Sequence, residues 1–218
     1  HIEGASGTKW RTDLFIFNGE NSNASISMKY LPAGNDNSSA QCISSGTISS
    51  HSSKSFDDIV FSLFGMNSGF GGIAVYSNNF PISVMSRTYN ETSAGTFGQG
   101  IPGRDSSKAI STGKKGILIG LSEDSNYRTN VGFLNASSSN SEVEVDLYSE
   151  NGDLLGTLNY ILKPYELYQE NQIFLKVNAS NIKNGRAEVI VNSGFIFAYA
   201  SVVDNKTGDP TYIEPVIK

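Results

Sequence analysis

The feature that most constrains the fold is an internal repeat, in which residues 10–18 (WRTDLFIFN) recur as residues 127–135 (YRTNVGFLN). The two segments align without a gap and match an aromatic residue, an arginine, a threonine and a final asparagine. A motif that recurs at this spacing indicates two copies of one supersecondary unit. We place the boundary between the copies in the polar, aperiodic segment 103–113.

Each copy of the motif is followed by a short polar stretch and then by a segment of alternating apolar and polar residues. These alternating segments are residues 25–30 (SISMKY) and 142–147 (EVEVDL). A period of two puts one set of side chains in the core and the other in solvent, as in an antiparallel sheet. Asn151-Gly152 is a strong hairpin signal after the second segment.

Each copy contains about seven short strand segments separated by Gly, Asn and Ser, which is typical of a sandwich. The predicted fold is therefore all-β, with two tandem, internally repeated antiparallel β-sandwich units of the Ig-like or Greek-key-like kind. The predicted domains are residues 1–104 and 105–218. The ends of the copies also align, residues 84–90 (VMSRTYN) with residues 199–205 (YASVVDN).

Helical signals are few. Residues 56–64 place apolar side chains at helical spacing behind Ser55, a residue type that caps helices. This pattern predicts a short helix or, as an alternative, an irregular strand. The corresponding segment of the second copy, residues 171–177, predicts a strand.

The composition is typical of an extracellular β protein. Charged residues are 17% of the chain and the net charge is −5, so polarity comes mainly from uncharged Ser, Asn and Gly. Nucleic acid is not an expected partner, because phosphate binding needs clustered Lys and Arg. Membrane insertion is not expected either, because no apolar run approaches the roughly 20 residues that a spanning helix needs.

The repeated motif is predicted to be a scaffold. On a strand, alternate residues point to opposite faces, and neither face of this motif holds a plausible catalytic pair. We expect its arginine to satisfy buried carbonyl groups or a carboxylate beneath the aromatic ring. An exposed Arg/aromatic ligand patch is the alternative. The residues assigned to the motif are Trp10, Arg11, Asp13, Asn18, Tyr127, Arg128, Asn130 and Asn135.

The segment 204–210 (DNKTGDP) is rich in oxygen ligands. Asp204 and Asp209 are candidate ligands for a calcium ion, although an ordinary hairpin turn explains the same residues. No other cofactor is expected, because zinc-ligand spacing, phosphate-binding glycine motifs and nucleotide fingerprints are missing from the sequence.

The titratable residues do not predict an enzyme. Cys42 is the single cysteine and is expected to be half-buried in a strand, and a catalytic thiolate would need His1 or His51 as its partner. His51 lies in a Ser-rich segment that predicts a solvated loop. The acidic side chains of residues 142–147 lie on the predicted solvent face. A hydrolase is therefore the less favoured alternative.

Aromatic residues are 11% of the chain, and sugar rings stack on exposed aromatic faces. Most aromatic residues of a sandwich lie in its core, so a sugar-binding platform remains an alternative. The candidates for such a platform are Tyr76, Tyr89, Phe97, Tyr165, Tyr168 and Tyr212.

The motifs also resemble a tandem module of secreted and surface proteins of bacteria, known mainly as uncharacterised sequence. The matching strings are Gly7-x-x-Trp-Arg-Thr-Asp-Leu-x-x-x-Asn18, residues 86–90 (SRTYN), residues 95–99 (GTFGQ) and Arg128-Thr-Asn130 with Asn135. The resemblance covers nearly the whole chain and implies no known activity. The second copy departs from the pattern, because Val202-Val-Asp204 replaces Arg87-Thr-Tyr89.

The expected function is that of a non-catalytic extracellular module, secreted or on the cell surface, that acts in adhesion, as a spacer or as an accessory domain. Its expected partners are a surface protein or a glycan, and a carbohydrate-binding module is the alternative. The candidate binding residues are Arg87, Tyr89 and Tyr212. The sequence does not specify the oligomeric state.

Overall fold

A computed structural model describes residues 1–4, 7–78 and 80–218. Most of the regular structure is β-strand, so the all-β prediction is confirmed. The strands are β1 (Ile2–Glu3), β2 (Lys9–Asn18), β3 (Ala24–Pro32), β4 (Ile43–Ile48), β5 (Ser52–Phe56), β6 (Gly71–Ser77), β7 (Ser83–Thr92), β8 (Gly95–Pro102), β9 (Ile110–Ser111), β10 (Lys115–Glu123), β11 (Tyr127–Asn135), β12 (Ser141–Tyr148), β13 (Leu154–Leu162), β14 (Leu167–Glu170), β15 (Ile182–Ser193), β16 (Phe195–Asp204), β17 (Pro210–Ile213) and β18 (Val216–Ile217).

The helical segments of the described residues are short. They are the helix α1 (Ile59–Ser62) and the 3₁₀ segments Ser106–Lys108 and Ile173–Val177. None of these helices has the length and apolar character that crossing a membrane would require.

The chain divides into two compact units. The first unit contains residues 1–32 and 39–104, and the second contains residues 33–38 and 105–218. Residues 33–38 follow β3 in the chain, yet they group with the second unit. Within that unit the Gly34 amide donates to the Leu167 carbonyl at 3.0 Å.

The first unit packs two antiparallel sheets face to face. One sheet has the order β1-β2-β7-β8, with β5 also paired to β2, and we call it the first sheet. The other has the order β4-β3-β6. Apolar side chains from the facing sides of both sheets, together with α1, form the core: Leu14, Ile16, Ala24, Ile26, Met28, Ile48, Ile59 and Val60.

The second unit repeats this arrangement with additions. One sheet has the order β14-β11-β16-β17, with β9 paired to β16, and the other has the order β13-β12-β15-β10-β18. Eighteen buried apolar residues form its core, against eight in the first unit. The larger core reflects the extra strand β10, whose Leu118 and Leu121 are fully buried.

The strand pairings confirm the internal repeat. In the first unit β2 pairs with β5 and β7, and β7 pairs with β8. In the second unit β11 pairs with β14 and β16, and β16 pairs with β17. Strand β3 likewise lies between β4 and β6, as β12 lies between β13 and β15.

Three expectations about local structure are wrong. The segment 171–177 contains a 3₁₀ helix instead of a strand, because Ile173 and Phe174 are neighbours that are both fully buried. A strand would point them to opposite faces. The short helix predicted within residues 56–64 is present as α1, but its capping residue is wrong, because α1 begins after Asp58 and Ser55 belongs to β5. Cys42 is exposed and precedes β4.

The alignment of residues 84–90 with residues 199–205 is wrong by one residue. Trp10 pairs with Asn90, whereas its counterpart Tyr127 pairs with Asp204. The position equivalent to Arg87 is therefore Ser201. The error matters because a shift by one residue moves every side chain of a strand to the opposite face.

Candidate binding face

The final asparagine of the repeated motif makes equivalent hydrogen bonds in both units. The Asn18 side-chain amide donates to the carbonyls of Ser22, Ile48 and Ser49, at 2.8, 3.1 and 3.1 Å. Asn135 likewise donates to three carbonyls, those of Ser139, Leu162 and Lys163. Both asparagines are almost fully buried. Each one closes the turn that follows its strand and ties it to a more distant segment.

Asp13 and Asn130 also have matching contacts. An oxygen of the Asp13 carboxylate accepts the backbone N–H of Asp58 at 2.9 Å, and the Asn130 side-chain oxygen accepts that of Gln172 at 3.2 Å. Asp58 and Gln172 have left-handed backbones, with φ of 42° and 52°, and each precedes a short helix. These side chains therefore hold the chain where it turns from strand into helix.

The two arginines of the motif have different partners. The Arg11 guanidinium donates to the carbonyl of the preceding residue, Trp10, and lies 3.9 Å from the Asp58 carboxylate. The Arg128 guanidinium donates to the Asn205 side-chain oxygen at 2.7 Å. The two copies of the motif therefore share the hydrogen bonds of their asparagine, Asn18 or Asn135, and those of the Asp/Asn position, Asp13 or Asn130.

The outer face of the first sheet carries an exposed apolar patch, formed by Phe15, Phe17 and Met85. The exposed fractions of these side chains are 42%, 43% and 49%. Leu14 and Ile16 point into the core, so strand alternation turns the two phenylalanines outward. Met85 lies opposite Phe15 on β7.

A shallow depression of about 400 Å³ lies on this apolar patch and is lined by Phe15, Phe17 and Met85. Ser53, Ser55 and Ser83 border it, whereas the Lys54 side chain turns to the other side of the sheet and donates to the Ser45 carbonyl at 2.7 Å. Ser55 and Ser53 lie on β5 directly opposite Phe15 and Phe17. The depression thus has an apolar floor with hydrogen-bonding groups along its sides.

Arg87 and Tyr89 lie further along the same face. The Tyr89 hydroxyl donates to the Asp13 carboxylate at 3.2 Å, and the Arg87 guanidinium carbon lies 4.8 Å from the centre of the Tyr89 ring. Burial and, after it, the negative charge of Asp13 raise the pKa of Tyr89 to about 12. The phenol therefore stays a hydrogen-bond donor at neutral pH.

Two glycines of β8 keep this face shallow. A Cβ atom at Gly98 would lie 2.5 Å from Cβ of Tyr89, and one at Gly100 would lie 2.7 Å from Cε of Met85. Both glycines lie opposite β7, at Tyr89 and Arg87 respectively. The side chains of β7 therefore extend over bare backbone.

Tyr212 belongs to the second unit. Its ring stacks at 5.9 Å on the ring of Tyr199, with 25° between the ring planes. Of the three candidate binding residues, the first sheet brings together Arg87 and Tyr89 only. Among the candidate stacking residues, Tyr168 donates to Glu170 and Tyr89 to Asp13, so these rings serve internal contacts.

The candidate calcium loop folds as a turn. One oxygen of the Asp204 carboxylate accepts the backbone N–H groups of Lys206 and Thr207, and these bonds hold the pKa of Asp204 below its usual value. The Asp204 amide donates to the Asp209 carbonyl at 2.9 Å. Over residues 1–4, 7–78 and 80–218, His, Cys, Asp and Glu side chains form no group of three that would hold a metal ion.

Two of the titratable groups in the chain meet, because Nδ1 of His1 lies 2.6 Å from the Asp58 carboxylate. His51 is exposed, and its Nε2 atom lies 2.9 Å from the side-chain oxygen of Asn21. Asp146 accepts the Thr157 hydroxyl on the outer face of β12. Glu123 is buried, which raises its pKa, and its carboxylate accepts the Thr129 amide at 3.1 Å.

The sequence prediction missed Phe15, Phe17 and Met85 as surface residues. The signal was the alternation of the motif itself, because the face opposite Leu14 and Ile16 carries two large aromatic side chains. Strand alternation predicts which way each side chain points. It does not predict whether a neighbouring loop covers that side chain.

Comparison with known proteins shows no family. No family model matches the chain, and no curated protein matches it. Among solved structures it is similar to a β-glucuronidase 2 of Bacteroides uniformis, at 12% identity and a TM-score of 0.18. The match covers 95% of this chain and 24% of the glucuronidase chain. A likeness this low carries no inference about function.

Proposed function

We propose that this chain is a non-catalytic interaction module, secreted or on the cell surface, and that its first unit binds a partner protein through the apolar patch. The observation that carries the proposal is the exposure of Phe15, Phe17 and Met85 on a face that the core does not use. Contiguous exposed apolar side chains on a soluble domain mark interaction surfaces.

The surroundings of the patch support a protein partner. Protein interfaces combine an apolar centre, rich in aromatic residues and Met, with a polar rim. Here Phe15, Phe17 and Met85 supply the centre, while Arg87 and the serines of the depression supply the rim. The composition, in which polarity comes mainly from uncharged Ser, Asn and Gly, supports an extracellular module.

Carbohydrate binding is the second candidate. Phe15 and Phe17 are two residues apart on one strand, so both rings face the same way, and the hydroxyls of Ser53, Ser55 and Ser83 lie beside them. Aromatic faces with nearby hydrogen-bonding groups suit a sugar ring. The two candidates share one surface and differ in the ligand.

The experiment presents the purified chain with a phage-displayed peptide library and with a glycan array. Peptides selected on the chain are expected to lose at least tenfold in affinity for the double variant Phe15→Ser/Phe17→Ser, measured by titration calorimetry. The matched control is Leu154→Ser/Ile161→Ser, which removes two side chains of the second unit that are 57% and 69% exposed.

Each outcome decides between the candidates. Glycan binding that the Phe15→Ser/Phe17→Ser variant loses would replace the partner protein with a sugar ligand. The patch is the wrong surface if both double variants bind as the unaltered chain does, or if neither library yields a ligand.

A further inference from the structure

Strand β13 leaves a free sheet edge in the second unit. Among the described residues it pairs with β12 alone, although the chain continues from it into β14 of the other sheet. Its counterpart in the first unit is β4, because Ile48 pairs with Ala24 as Leu162 pairs with Ser141. Over the same described ranges β4 also pairs with a single strand, β3. The free edge is therefore common to both copies of the fold.

The first unit protects its copy of this edge. The Lys54 ammonium donates to the backbone carbonyl of Ser45 in β4, at 2.7 Å. The ladder between β3 and β4 also shifts register beside Gly46, whose φ is +93°. A lysine and a β-bulge are two of the features that keep an edge strand from pairing with another chain.

Strand β13 lacks both protections along residues 157–162 (TLNYIL). This stretch contains no charged residue and no proline, and it pairs with β12 without a register shift. Thr157, Asn159 and Ile161 point outward and are exposed, Ile161 by 69%. The other edge strands of the second unit carry a charge or a proline or are very short: Glu170 lies in β14, Pro210 lies in β17, and β9 and β18 have two residues each.

We propose that two copies of this chain pair antiparallel through β13, so that their sheets join into one. An antiparallel pair of identical strands is self-complementary about a two-fold axis. With the axis at Asn159, Thr157 lies beside Ile161 of the partner subunit, and the two Asn159 amides, each a donor and an acceptor, bond one another. No like charges meet at this edge, although each chain carries a net charge of −5. This surface is separate from the apolar patch, so the inference goes beyond the proposed function.

The acidic side chains of β12 give this pairing a salt dependence. Glu142, Glu144 and Asp146 alternate with the buried Val143, Val145 and Leu147, so they lie on the outer face, one strand from the edge. Strands lie about 4.8 Å apart, so the acidic rows of the two copies are about 14 Å apart in the joined sheet. Salt at 0.15 M screens charges beyond about 8 Å, and salt at 0.01 M only beyond about 30 Å. Pairing is therefore expected to weaken at least threefold at the lower salt concentration.

The test measures the oligomeric state of the full chain by sedimentation velocity over a range of protein concentrations. We expect a monomer–dimer equilibrium whose dissociation constant rises at least tenfold in Asn159→Lys, because two ammonium groups would then meet at the axis. Thr47→Lys is the matched control, since it adds the same charge at an exposed position of β4 and is expected to leave the dissociation constant unchanged. Hydrogen exchange at β13 is expected to slow as the protein concentration rises, and exchange at β4 is expected to stay constant.

Three results would overturn the pairing. The first is a chain that stays monomeric up to about 1 mM in 0.15 M salt. The second is a dimer that Asn159→Lys leaves intact while the urea unfolding of the variant matches that of the unaltered chain. The third is a dimer that Phe15→Ser/Phe17→Ser abolishes, because the apolar patch would then be the interface between the copies.

Discussion

Asn18 and Asn135 are the residues on which the turns of the two units depend. Replacing Asn18 with Ala removes a donor that the carbonyls of Ser22, Ile48 and Ser49 share, of which the Ser49 carbonyl keeps the Ser52 amide. A buried group that loses its hydrogen bond costs about 1–3 kcal/mol. We expect Asn18→Ala to lower the stability of the first unit by about 1–3 kcal/mol, and Asn135→Ala to do the same in the second. Urea unfolding measures both losses.

Trp10 allows the two losses to be separated, because it is the single tryptophan and lies in the first unit. Asn18→Ala is expected to shift the unfolding transition seen by Trp10 fluorescence, and Asn135→Ala is expected to leave that transition in place. Asn192→Ala, at an exposed position, is the control, with an expected change within about 0.5 kcal/mol. If Asn18→Ala also changed the free energy of unfolding by only about 0.5 kcal/mol, water would be replacing the hydrogen bonds of the Asn18 side-chain amide.

Glu123 gives the second unit a pH dependence. Burial raises the pKa of Glu123 above its ordinary value of 4.5, so the folded state holds the proton more tightly than the unfolded state. The resulting stabilisation is fully present below pH 4.5 and is lost as the pH rises through the raised pKa. Glu123→Gln is expected to flatten the decline of unfolding free energy between pH 4.5 and neutrality.

Gln at position 123 keeps an oxygen that accepts the Thr129 amide. The difference between the two pH profiles therefore reports the charge of Glu123 and not the loss of this hydrogen bond. Urea unfolding of the second unit across this pH range is the measurement, and the exposed Glu142→Gln is the control. Identical pH profiles for the unaltered chain and Glu123→Gln would contradict the assignment.

At the scale of elements, strand β8 depends on its glycines. A Cβ atom at Gly98 would lie 2.6 Å from the Thr88 carbonyl oxygen, which is fixed in the sheet. Gly98→Ala is therefore expected to separate β7 from β8 and to destabilise the first unit by about 1–3 kcal/mol. The Trp10 transition in urea reports this loss.

Gly19→Ala is the matched control for Gly98→Ala. Its new Cβ would lie 3.3 Å from the Phe17 ring, which is 43% exposed and so has room to move in solvent. The expected change is within about 0.5 kcal/mol. If both substitutions proved equally mild, the close approach of β7 and β8 at Gly98 would be relaxed in solution.

The alternating strands could be predicted because their burial follows the pattern directly. Ile26 and Met28 are buried while Ser25 is exposed, and β12 behaves in the same way. The turn at Ile173 could not be predicted, since it depends on the left-handed backbone of Gln172 and on a core formed by distant strands. The apolar patch was beyond prediction for a similar reason, because alternation does not say which outward side chains stay uncovered.

At the scale of the whole molecule, the two cores predict unequal stabilities. Among the residues that the structure describes, the first core contains eight buried apolar residues, while the second contains eighteen. Calorimetry is expected to resolve two transitions, with Trp10 fluorescence following the one at lower temperature. A single transition in which fluorescence and far-UV circular dichroism coincide would show that the units unfold together.

The grouping of residues 33–38 has a consequence for any attempt to separate the halves. The Asn37 amide groups donate to the carbonyls of Pro164 and Tyr165, and the Lys163 ammonium donates to the Gly34 carbonyl. Cleavage after Arg104 would deprive the downstream fragment of these bonds, because the hexapeptide would leave with the upstream fragment. The second repeat therefore cannot be excised cleanly at its sequence boundary. Transferring it into another protein would require residues 33–38 to be transferred with it.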